Sequence, residues 1–151
     1  MQNPDSFAHN ICFWSGLIAW IFAQTVKMIT RFSATREIDF AILVSTGGMP
    51  SAHTAMVTAL ATAVGLQEGF STPVFAVAVG FAVIVMFDAQ SVRRAAGQQA
   101  RMLNQIVNEL FKEHHLSQQK LAELLGHTRT EVFVGMLAGV LVALALHALW
   151  Y

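Results

Sequence analysis

Two histidines in this chain stand beside residues that turn a backbone. His53 nearly closes the stretch Gly47-Gly48-Met49-Pro50-Ser51-Ala52-His53-Thr54, and His127 opens His127-Thr128-Arg129-Thr130-Glu131. Near neutral pH, histidine can move a proton or attack an electrophile. Cationic donors are available in Lys27, Arg93, Arg94 and Arg129, and a guanidinium binds phosphate oxygens through two parallel hydrogen bonds. Ser51 precedes a helical segment whose free N–H groups and positive dipole end make an anion site. Gly47 and Gly48 allow the backbone to approach a ligand closely. The sum of these groups is an oxyanion pocket served by two histidines.

Each group also has a purely structural reading. Ser51 fits a helix N-cap, His53 a hydrogen-bonded histidine of a first turn, and Thr128 with Glu131 a capping box. Arg93 and Arg94 fit anchors at a membrane interface, and Asp88 a partner for one of them. His114 and His115, next to Glu113, read as a solvated face, while His9 and His147 fall away from the other polar groups. No ligand spacing suggests a metal, and no cofactor is expected. Cys12 is the single cysteine, which leaves no intramolecular disulfide and no cysteine-based cluster.

The elements that must position these residues are strongly apolar. Of 151 residues, 55% are hydrophobic and 12% charged, against about a quarter charged in soluble domains. The apolar runs approach the ~20 residues that cross a bilayer core. The expectation is an all-α integral membrane bundle, one domain over 1–151, with about four membrane helices and an amphipathic cytosolic or interfacial helix. Helix one is expected over Phe7 to Arg31, with Gln24 and Lys27 on one face near its end. It lacks a basic leader and a cleavage site, so it is expected to be retained. Phe40 to Val44 reads as a re-entrant or interfacial piece. The Ala- and Thr-rich segment from His53 to Leu66 reads as an interior membrane helix, and a third helix runs from Pro73 to about Gln90. Val92 to Phe111 repeats apolar residues at spacings of three and four with charge opposite, the amphipathic pattern. Gln118 to Leu125 reads as a short helix, and Arg129 to Trp150 as the last membrane helix, with Gly135 and Gly139 forming a close-packing face.

If four helices cross in alternation, all nine Lys and Arg residues fall on one side, while Asp5 and Glu68 lie on the other. Basic loops mark the cytosol, so both termini are expected outside. The same alternation brings Gln24 and Lys27, Ser51 and His53, Asp88, Arg93 and Arg94, and His127, Arg129 and Glu131 to one cytosolic level. Ionisable groups at membrane depth are costly and tend to mark function.

Three motifs resemble the divergent branch of the type-two phosphatidic acid phosphatase superfamily, related to acid phosphatases and vanadium-dependent haloperoxidases. They are Gly47-Gly48-Met49-Pro50-Ser51-Ala52-His53, then Asp88 to Ala100 with Leu103-Asn104, and Leu125-Gly126-His127-Thr128 with Glu131-Val132. In the wider superfamily a Lys followed by Arg-Pro, a Pro-Ser-Gly-His, and a Ser-Arg leading to a His with Asp four residues later hydrolyse phosphate esters through a phosphohistidine. Here Ala52 replaces the glycine and Glu131 the aspartate; no Arg-Pro follows Lys27, and no Ser-Arg precedes His127. Arg93 and Arg94 offer the missing charge from another element. The resemblance implies a metal-independent membrane phosphatase acting on a lipid phosphate or diphosphate. His127 would be the nucleophile, Glu131 its orienting partner and His53 the acid and base. Lys27, Ser51, Gly48, Arg93 and Arg94 would bind phosphate, with Gln24, Asp88 and Arg129 in support. Membrane lipids are the expected surroundings, nucleic acid is not an expected partner, and a homodimer is a further expectation. The alternative is a non-catalytic membrane protein whose basic face binds anionic lipid headgroups or a protein partner.

Overall fold

A computed structural model of the protein describes residues 7–36, 48–110 and 126–151. The segments 40–44 and 118–125, read above as a re-entrant piece and a short helix, lie outside the described residues, as do Gly47, Glu113, His114 and His115. Among the described residues all regular structure is helical. After a 3-10 turn at Phe7–His9, α1 runs over Ile11–Thr35, started by the Asn10 side chain, which accepts the Phe13 N–H at 3.0 Å. That polar cap moves the helix start four residues beyond the expected one. α2 follows over Ala52–Glu68, α3 over Pro73–Phe87, a π turn over Asp88–Val92, α4 over Arg93–Leu110, and α5 over Arg129–Trp150.

The chain alternates in direction. Gly16 of α1 faces Met56 and Leu60, while Lys27, later in α1, lies against Gly48 before α2, so the two helices run antiparallel. Gly69 and Thr72 turn the chain between α2 and α3. Gly69 takes φ +97°, and the Thr72 hydroxyl accepts the Phe75 N–H, with Pro73 at the first helical position, where no N–H is needed. α5 starts beside the start of α2 and runs parallel to it: Gly135 meets Ser51, and Gly139 meets Ala55, Thr58 and Ala59.

α2 is the central helix, packed on α1, α5 and α3. Its buried face is mostly Ala and Thr, with Val57, Val64 and Gly65, and Ala19 and Ala23 of α1 and Ala143 of α5 join it in the core. Small side chains let the backbones close up, and dispersion then acts over many contacts. The fit is tightest at α5, where a Cβ on Gly135 would stand 2.6 Å from the Ser51 carbonyl oxygen. The Gly135/Gly139 face is therefore occupied within the chain, by α2.

Among the described residues, three helices are long and apolar enough to cross a membrane: α1, the continuous helix that begins with α3, and α5. α2 has 17 residues, about 25 Å at 1.5 Å per residue, against a bilayer core of ~30 Å. It is a buried pillar, shorter than α1, α5 and the continuous helix that begins with α3. α3 and α4 do not separate as the sequence pattern suggested. The π turn carries one into the other without a break, and α4 projects with Met102, Leu103 and Ile106 exposed.

Candidate functional site

The starts of α2 and α5 and the π turn after α3 come together, and backbone hydrogen bonds tie these three together. The Ser51 N–H donates to the Glu131 carbonyl at 3.1 Å, joining the start of α2 to the first turn of α5. The His127 N–H donates to the Ala89 carbonyl at 3.1 Å, joining the residue before the α5 cap to the π turn. π turns insert a residue into a helix and occur often at functional sites; this one supplies a carbonyl to a strand of chain outside its own helix.

His127 is 3% exposed. Its Nδ1 lies 2.9 Å from Glu131 Oε2, and the same oxygen accepts the Thr128 N–H at 3.1 Å. The Glu131 N–H returns to the Thr128 hydroxyl at 3.3 Å, completing a capping box. One oxygen atom of Glu131 thus both caps α5 and meets the imidazole. A carboxylate only accepts hydrogen bonds, so Nδ1 is the donor of this pair, and in the neutral imidazole the lone pair is then on Nε2.

Lys27 is 5% exposed, although lysine is rarely buried without compensation. Its methylene stem lies against Gly48, whose φ of +85° is the left-handed conformation that glycine adopts without strain. Gln24, one turn earlier in α1, is buried as well.

Ser51 is fully buried and caps α2. Its Oγ accepts the Thr54 N–H at 3.4 Å, and the Thr54 hydroxyl donates to it at 3.0 Å. The sequence reading did not single out Thr54, yet it too is fully buried; the S-x-x-T spacing was its available signal. No feature of the sequence marked the Ala89 carbonyl.

The structure therefore brings together Lys27, Gly48, Ser51, His127 and Glu131. His53 is in the first turn of α2 but exposed, unlike His127, and it takes part in interactions of its own. Asp88 is half-buried in the π turn, and Arg129 is exposed. The side chains of Arg93 and Arg94 lie outside the described residues; their backbone opens α4 directly after the π turn.

The chain belongs to the Divergent PAP2 family, whose match spans residues 8–142. It is 47% identical over 143 residues to the uncharacterized membrane protein YuiD of Bacillus subtilis (strain 168), covering 87% of this chain and 90% of that one. No solved structure matches it. The protein is thus a PAP2-like membrane protein with helices able to cross the bilayer.

Proposed function

We propose that the protein hydrolyses a lipid phosphate or diphosphate through a phosphohistidine on His127, at the cytosolic face of the membrane. The observation that carries this reading is the buried His127–Glu131 pair, 2.9 Å apart, which fixes the imidazole tautomer and leaves Nε2 as the nucleophilic nitrogen. His127 Nε2 attacks phosphorus and the bond to the leaving oxygen breaks. His53 gives that oxygen its proton, then takes a proton from the water that attacks phosphorus and releases the histidine nitrogen as phosphate departs. Lys27 and the amides at the start of α2, with Arg93 and Arg94, stabilise charge on the transferring group. No metal or cofactor enters these steps.

The basic side chains of the described helix ends, Lys27, Arg31, Arg36 and Arg129, are at the level of the site, and Glu68 is at the opposite turn. That asymmetry supports a cytosolic site with both termini across the membrane. The test is phosphate release from lipid phosphates by purified protein, together with trapping of an acid-labile phosphoenzyme. Both should vanish in His127→Ala, and undiminished turnover in that variant rejects the nucleophile. Vanadate, a phosphate analogue, should bind the wild type and not Lys27→Met.

The exposed apolar side of α4 favours a second reading, in which the basic face holds anionic lipid headgroups or a partner protein without turnover. Binding of anionic vesicles with no phosphate release from any substrate would select it.

A further inference from the structure

α3 packs on α2, and its continuation reaches α5 through the π turn, where the His127 N–H meets the Ala89 carbonyl. An apolar crevice of about 230 Å³ runs along the helices, floored by Ala61 and Thr62 of α2 and walled by Val83 and Met86 of α3 and by Met136 and Val140 of α5. Its hydroxyls are already engaged. The Thr62 hydroxyl donates to the Thr58 carbonyl and the Thr58 hydroxyl to the Thr54 carbonyl, each at 2.8 Å. The threonines therefore add no free donor to the crevice, and a water there would lack the two to four polar partners that hold buried water. A cavity of about 150 Å³ already accepts a benzene-sized guest, so this space suits a stretch of hydrocarbon.

Its two ends differ in chemistry. Met86 is three residues before Ala89, and Met136 is five after Glu131, so one end lies within one to two helical turns of the residues that hold His127. At the other, Phe70 and Phe75 stack edge to face with ring centroids 5.1 Å apart and rest on Gly65, where any Cβ would collide with both rings. From Phe75 to Met86 the helix rises about 16 Å at 1.5 Å per residue.

We infer that this crevice between α3 and α5 holds the hydrocarbon chain of a lipid phosphate whose headgroup lies at His127, with the Phe70–Phe75 pair as its end stop. The inference rests on the phosphate site proposed above, because it is the nearness of an anion site to one end of an apolar trough that selects a lipid phosphate over a bilayer tail. The aromatic stop limits the length of chain accepted.

The test uses the purified full chain, single-chain alkyl phosphates of increasing length, one bearing a diazirine near its end, and a soluble phosphomonoester. Photolabelling should map to the α3 and α5 walls. Val83→Trp and Val140→Trp, which fill the crevice from opposite sides, should each lower labelling and raise KM for the longer alkyl phosphates by about tenfold or more, equivalent to ~1.4 kcal/mol. Turnover of the soluble ester should not change. Phe75→Ala should shift the preferred chain to a longer one. Labelling that persists in both tryptophan variants overturns the inference. So does equal labelling by a diazirine alkane lacking phosphate, which would make the crevice an ordinary lipid-tail contact. Phosphate-dependent labelling that is lost in both variants, without phosphate release from any substrate, supports the crevice while removing the hydrolytic reading of the site.

Discussion

The starts of α2 and α5 are built from the same parts and end up chemically different. Each has a hydroxyl N-cap, Ser51 or Thr128, a histidine within two residues of it, and a neighbour at its third helical position that bonds back to the cap. In α2 the histidine comes after the cap, on the second helical residue, and is exposed. In α5 it comes before the cap, on extended chain whose N–H is held by Ala89, and is 3% exposed. The position of a histidine relative to a cap thus decides whether it follows the helix surface or turns into the interface. The third residues differ too: Thr54 seals the first cap with a hydroxyl, whereas Glu131 brings a carboxylate that caps and holds the imidazole at once.

The largest break in this comparison should come from the two histidines themselves. His127→Ala is expected to lower phosphate release by about a thousandfold or more, as removal of a nucleophile does in other hydrolases. His53→Ala should cost roughly 10²-fold, the lower range for a lost general acid, and less for a substrate with an activated leaving group. Parallel assays on both ester types decide it, and equal losses on the two would remove His53 from the protonation step.

Glu131→Gln separates the two duties of that side chain. Glutamine still serves a capping box, so thermal stability in detergent should stay within about 0.5 kcal/mol of wild type, but it cannot stabilise a positively charged imidazole. Activity should fall about 10²-fold or more. A matched fall in melting temperature would mean that Glu131 acts chiefly as a cap.

Smaller effects are expected where the two helix starts are pressed together. Gly135→Ala puts a Cβ 2.6 Å from the Ser51 carbonyl oxygen, and backbone there cannot yield as a flexible side chain would. A loss of about 1–3 kcal/mol is expected, seen as a lower unfolding midpoint. Ser51→Ala removes the cap and the acceptor of the Thr54 hydroxyl, costing about 1–2 kcal/mol. A Ser51→Ala protein as stable as wild type would show that the start of α2 is held by its contact with α5 rather than by its cap.

Much of this architecture was legible in the sequence because the governing interactions are local. The range of α5 and its capping box follow from Thr128, Glu131 and the apolar run behind them, and Pro73 after Thr72 marks the start of α3. The amphipathic spacing from Val92 to Phe111 marked a helix whose described part, Arg93–Leu110, is α4. The interior place of α2 was readable from its small side chains, and the expected range His53 to Leu66 falls inside the observed Ala52–Glu68, whose ends Ser51 and Gly69 set. The join between α3 and α4 was missed because a π turn leaves no periodic signature in five residues. Gly135 and Gly139 announced a close-packing face; that α2 fills it was a matter of tertiary pairing.

By itself, then, the sequence determined the helices, their caps, the segregation of basic residues to one end and the family to which the chain belongs. These depend on interactions within about a turn, or on composition summed along the chain. Tertiary structure decided that His127 is buried while His53 is exposed, that Lys27 is buried with its stem against Gly48, and that the π turn after α3 meets the chain entering α5. Burial and charge pairing are properties of which helices touch and at what height, and no window of neighbouring residues contains that information.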